Sequence, residues 1–136
     1  MQLLPIADLP KDKVKQFLWE MLEERPPHVS ISHKGMPSRH QHERFIDAKP
    51  YRGWFIIEDV GEWVGNCYIT HTREIGIHIR PGWQNKGYGS QSVRRLMEKF
   101  GPGRFLANIA PSNVGSQDFF RGLGFKCIQY TFELET

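Results

Sequence analysis

Gln84-Asn85-Lys86-Gly87-Tyr88-Gly89 is the stretch on which the fold turns. Upstream, Ile75, Ile77 and Ile79 alternate with Gly76, His78 and Arg80, the period of a strand, and Pro81-Gly82 ends the run. Downstream, Val93, Leu96, Met97 and Phe100 recur at the spacing of one apolar helix face. A glycine-punctuated turn from strand to helix leaves the first helical N–H groups without intrahelical acceptors and puts the positive end of the helix dipole there. Such a turn binds anions. Glycines at 87 and 89 remove Cβ atoms that would hold a phosphate off the backbone, while Gln84 and Lys86 add donors and charge at the rim. The spacing matches neither the P-loop, which needs Gly-Lys before Ser or Thr, nor the dinucleotide pattern with glycines at its first, third and sixth positions. Taken alone, the same glycines would also serve an ordinary turn or helix cap.

The chain of 136 residues has room for one sheet with helices on its faces, so residues 1–136 read as a single domain. No apolar run reaches membrane-spanning length, and the N-terminus lacks a basic region followed by an apolar core, which predicts a cytoplasmic protein without membrane contact. Cys67 and Cys127 fall in apolar, strand-like segments and read as two buried thiols rather than a disulfide or metal site. The net charge of +3, from 18 Lys and Arg against 15 Asp and Glu, suits an anionic cofactor. Nucleic-acid binding would call for a dense basic stripe with interleaved aromatics, which is missing from the sequence.

Residues 2–7 read as a first strand, followed by a helix capped by Asp8 or Asp12 with Val14, Phe17, Leu18, Met21 and Leu22 on one face. Pro26-Pro27 stops it. A polar loop over 28–39 leads to a second helix near 38–48 that Pro50 terminates. Two strands about a Val60-Gly61 turn make a hairpin. After the strand at 75–79 and the helix at about 88–100, a strand is predicted at 105–110, a helix at 114–123 and a last strand at 125–134. The order is that of a mixed α/β sheet with helices on both faces.

A second cluster, Asn108-Ile109-Ala110-Pro111-Ser112-Asn113-Val114-Gly115-Ser116 followed by Gly122-Leu123-Gly124-Phe125, occurs at a suitable distance behind the glycine turn. Asn113 is placed to cap the following helix and Gly124 to end it. With both clusters in order, the chain resembles the GCN5-related N-acetyltransferase (GNAT) superfamily. Gln84, Gly87 and Gly89 match its phosphate-binding motif, and Asn108, Asn113, Ser116, Gly124 and Phe125 match its later motif. The resemblance implies the acyl-CoA N-acyltransferase fold, a mostly antiparallel sheet of about six to seven strands with helices on both faces and a central splay of two parallel strands.

It also implies acetyl-coenzyme A as cosubstrate; no metal is expected, on the residue spacing given below. The diphosphate is expected on the backbone at Asn85, Lys86, Gly87, Tyr88, Gly89 and Ser90 with Gln84 at the rim, and the pantetheine arm along Ile77 and Ile79, near Asn108, Asn113, Ser116 and Phe120. The acceptor is expected to be a primary amine on a small molecule or peptide, attacking in a ternary complex. Rival readings are a coenzyme A-binding module with impaired catalysis and an acetyltransferase acting on protein N-termini or lysines. Homodimers are common in the superfamily and are compatible with this chain.

An alkylamine near neutral pH is ammonium, so a base must take a proton before attack. Glu74 and His78 are the catalytic candidates, with water as relay. In a regular strand Glu74, Gly76 and His78 share one face, where the glycine would leave room for the acceptor. Phe120 stands where many superfamily members carry an acidic Tyr, leaving the general acid open. Four of the six histidines (His28, His33, His40 and His42) precede the hairpin, in a segment that by resemblance walls the acceptor site. Their spacing fits no compact metal motif. Trp54, Trp63 and Trp83 read as packing residues.

Overall fold

A computed structural model describes residues 1–25 and 36–136. Four strands lie side by side in sequence order, each antiparallel to the next: β1 (Gln2–Pro5), β2 (Gly53–Asp59), β3 (Glu62–Ile69) and β4 (Ile75–Ile79). The helices are α1 (Lys11–Glu24), α2 (Arg39–Asp47), α3 (Tyr88–Phe100) and α4 (Val114–Gly122). Val60 and Gly61, at φ of 47° and 77°, make the two-residue turn of the β2–β3 hairpin, whose register shifts at Ile57/Glu58.

Strand alternation builds two cores. Phe55, Ile57, Cys67, Ile69 and Ile75 bury one face against Val93 and Leu96 of α3 and Phe120 of α4. Ile56, from the opposite face, packs with Val14, Phe17, Leu18 and Met21 of α1 and Ile46 of α2. Burying each such large aliphatic side chain contributes about 1.5–3 kcal/mol. Helices on both faces agree with the sequence reading. Cys67 is fully buried and its thiol is pushed up to about 12 by burial.

The strand count departs from expectation: among the described residues the sheet has four strands rather than six to seven. At 105–110, Phe105, Ala107 and Ile109 do pack on the core, but pairing among the described residues is limited to one parallel bridge between Glu74 and Leu106. Residues 125–134 form no strand. Phe125 reaches the core, whereas Ile128, Tyr130, Phe132 and Leu134 are 56–92% exposed. Their alternation meets no backbone partner among the described residues, and without a ladder the period of two makes no strand. For the same reason Cys127 is exposed, correcting its reading as a buried thiol. Helix α1 follows Pro10 with no side-chain cap, in place of the expected Asp8 or Asp12. His28 and His33 lie outside the described residues. No helix among the described residues is long and apolar enough to cross a membrane.

Candidate active site

The opening between β4 and residues 106–110 follows from the hydrogen bonding of β4. Ile75 donates its N–H to Leu106 O at 2.7 Å, and Leu106 donates to Arg73 O at 3.0 Å. Beyond that bridge no backbone bond joins β4 to 107–110 among the described residues. By strand alternation the Ile77 and Ile79 backbone groups face the same side as Ile75, toward the gap. Gln84 Nε2 donates to Ile79 O at 3.0 Å and so ties the glycine turn to the strand end.

At the mouth of the gap stands the N-terminus of α3. Gly87 occupies its N-cap at φ 86°, a left-handed conformation costly for other residues, and supplies no capping side chain. Its carbonyl accepts from Gln91 N–H at 3.1 Å. The N–H groups of Tyr88, Gly89 and Ser90 meet no acceptor among the described residues, and the first turn carries no acidic side chain. These are free donors at the positive end of a 13-residue helix. A Cβ on Gly89 would stand 3.0 Å from the Phe119 ring, so glycine there lets α4 close against α3.

A cavity of about 880 Å³ runs from this helix end past β4 to α1 and α2. Its lining includes Glu74, Ile77, His78, Ile79, Gln84, Asn85, Gly87, Tyr88, Gly89, Ser90, Asn108, Asn113, Ser116 and Phe120. Of the residues expected to act in catalysis or to hold the cofactor, Lys86 alone is missing from that lining; its ammonium sits 5.6 Å from the centre of the Trp83 ring. Three side chains have structural duties. Asn113 Oδ1 caps α4 by accepting from Ser116 N–H at 3.1 Å. The Tyr88 hydroxyl donates to Asp59 Oδ2 at 2.6 Å, which fixes it to the end of β2. Phe120 is buried between Phe119 and Phe125, so the position offers no proton.

The far end of the cavity contains residues the sequence did not single out. Gly76 leaves room, but the Tyr68 ring takes it: a Cβ on Gly76 would fall 2.1 Å from Tyr68 Cζ. Tyr51 stacks on Tyr68 with ring centres 3.8 Å apart and planes 4° from parallel, and Trp54 stands edge-on to both. Burial raises the Tyr51 phenol well above its ordinary range. Arg25, at the end of α1, reaches across to His78, with Nη2 2.6 Å from Nε2. Burial, with the neighbouring guanidinium second, pushes His78 down to about 3. At neutral pH the ring is uncharged and accepts from Arg25.

Glu74, where the two strands touch, lines the same cavity and accepts from the Thr70 hydroxyl at 3.4 Å. His42 is buried against Trp19 and also lines it, while His40 is exposed. Among the described residues no cluster of three or more His, Cys, Asp or Glu is placed to hold a metal. Trp54 and Trp83 pack on the cores, as expected, and also border the cavity.

Residues 11–126 match the acetyltransferase (GNAT) domain family. No curated protein matches the chain. Among solved structures, a domain from Methanocaldococcus jannaschii DSM 2661 superposes with a TM-score of 0.74 at 21% identity, covering 90% of this chain and 88% of that one. For yncA of Salmonella typhimurium, solved with its cofactor acetyl-CoA, the TM-score is 0.65 at 17% identity, over 92% and 79%. The spermidine/spermine N-acetyltransferase SpeG from Vibrio cholerae, in mutant forms, gives 0.65 at 16%, also over 92% and 79%. Identities this low establish a shared fold.

Proposed function

The chain belongs to the GNAT acetyltransferase family, and from that premise we propose that it moves the acetyl group of acetyl-CoA to a primary amine within a ternary complex. The observation that carries the reading is the uncapped start of α3 at the mouth of a cavity bordered by the open edge of β4. The free N–H groups of Tyr88, Gly89 and Ser90 suit a diphosphate, with Gln84 and Asn85 at its border. The edge of β4 at Ile77 and Ile79 suits the amide-bearing pantetheine arm, which would pair with it as an added strand does. Asn108 and Ser116 border that arm, Asn113 through its backbone, and Phe120 closes the apolar floor. Acetyl-CoA supplies a thioester carbon open to attack.

Glu74 is the side chain we assign to proton removal, directly or through one water. It carries a carboxylate, borders the cavity and sits where the strands begin to part. His78 is a weak base, and its ring already accepts from Arg25; we assign it to holding that guanidinium. A backbone N–H of β4 facing the gap is a preorganised donor for the oxyanion that develops. With Phe120 in the late helix, the departing thiolate takes its proton from solvent.

Thiol release from acetyl-CoA with a panel of primary amines tests the reading. Acetylated amine appearing one-for-one with free thiol is expected. Tight coenzyme A binding with no turnover across a broad panel would contradict it and favour a non-catalytic binder.

A further inference from the structure

Among the described residues Arg25 is a cation without an anion. Its guanidinium offers five donors, yet its hydrogen-bond partner among the described residues is the neutral ring of His78, at 2.6 Å to Nε2 and 3.4 Å to Nδ1. The carboxylates nearest in the cavity lining are otherwise engaged. Glu24 is held by Arg80 at 2.8 Å, and Glu74 accepts from Thr70. Residues 26–35, Pro-Pro-His-Val-Ser-Ile-Ser-His-Lys-Gly, contain no Asp or Glu. Arg25 is partly withdrawn from water, and withdrawing a charge without pairing it is costly. The side chain borders the cavity beside the Tyr51–Tyr68 stack, with Trp54 and Phe45 completing an aromatic wall. A planar fork held by a neutral partner and shielded by aromatic rings has the donor geometry that carboxylates fill in pairs of parallel bonds.

We propose that the acceptor is an amine that also bears a carboxylate, an amino acid in the broad sense, whose carboxylate is received by Arg25 while its amine points toward Glu74. This rests on the acetyl-transfer reading and narrows its substrate class. Arg25 serves as a binding residue and His78 as the residue that positions it. A polycationic acceptor is disfavoured, since it would meet an unpaired guanidinium at the end of the cavity.

Matched acceptors test this by thiol release: phenylalanine against phenethylamine, which differ by the carboxylate alone, with spermidine and O-phosphoethanolamine as further arms. Phenylalanine is expected to show kcat/KM at least about ten-fold above phenethylamine, chiefly through KM, with spermidine poorer still. Arg25→Gln should collapse that ratio by raising KM for phenylalanine, and Arg25→Lys should restore part of it, keeping the charge but not the fork. Coenzyme A uptake shows whether each variant is folded. Equal or better use of phenethylamine or spermidine would overturn the proposal, as would an Arg25→Gln variant that loses both members of the pair equally. Preference for O-phosphoethanolamine would overturn the carboxylate in favour of phosphate.

Calorimetry with 3-phenylpropanoate, which has the carboxylate and no amine, separates the two levels. If no amine releases thiol but 3-phenylpropanoate binds and Arg25→Gln abolishes it, the anion site stands and acetyl transfer falls. If neither occurs, both fall.

Discussion

Gly76 shapes the far end of the cavity, because the Tyr68 ring lies where its side chain would be. Gly76→Ala is expected to destabilise the fold by about 1–3 kcal/mol, the cost of overpacking a filled site, and to displace the Tyr51–Tyr68 stack. Urea unfolding measures the first and near-ultraviolet circular dichroism the second. Glu74→Gln keeps the shape and the Thr70 contact while removing the carboxylate. It is expected to slow acetyl transfer on the order of 100- to 10,000-fold with coenzyme A binding retained. A rate within a factor of about two of the parent would take Glu74 out of proton transfer. The alternation around residue 76 placed Glu74, Gly76 and His78 on one face. It said nothing of Tyr68, which reaches Gly76 only through the β3–β4 pairing.

The helix starts differ: α1 and α3 both lack a side-chain cap, but it is α3 whose start borders the cavity. Ser38 and Gln41 form a reciprocal capping box on α2, and Asn113 caps α4, whereas α3 begins at a glycine with its donors free. Asn113→Ala is expected to cost about 1 kcal/mol in urea unfolding, the usual loss for a side-chain cap. The start of α3 was legible because glycine spacing, strand period and helix period all meet within residues 75–100. The strand at 105–110 was only half legible. Its apolar side chains report packing on the core, while the one-residue bridge at Leu106 depends on how far β4 parts from it, which side-chain period does not encode. The pairing of Arg25 with His78 joins positions 53 apart, and the Pro26-Pro27 that follows Arg25 marks only a helix stop.

Across the molecule, acid should loosen the fold through three groups whose charged or neutral forms the native state selects. Asp47 is held below the usual carboxylate range by hydrogen bonds from Lys15 and Lys11, which tie the end of α2 to α1, and Asp59 chiefly by Tyr88. For a lowered carboxylate, the stabilisation is complete above the unfolded value of about 3.9 and is lost as pH falls through the folded one. His78 is also lowered, so the unfolded chain takes up its proton first, and stability falls as pH drops from about 6.5 toward 3. Urea midpoints are therefore expected to decline already between about pH 6.5 and 4.5, before the carboxylates titrate, and His78→Gln should flatten that part of the profile. A midpoint that is constant over this interval would place the ring in water.

Isothermal titration of the folded protein with coenzyme A measures most directly whether the open helix end and the parted strands form one cofactor site. Saturable one-to-one uptake, weakened by added salt as diphosphate contacts to the helix start are screened, is expected. Absence of binding by protein whose circular dichroism shows it to be folded would contradict the cofactor site and acetyl transfer together.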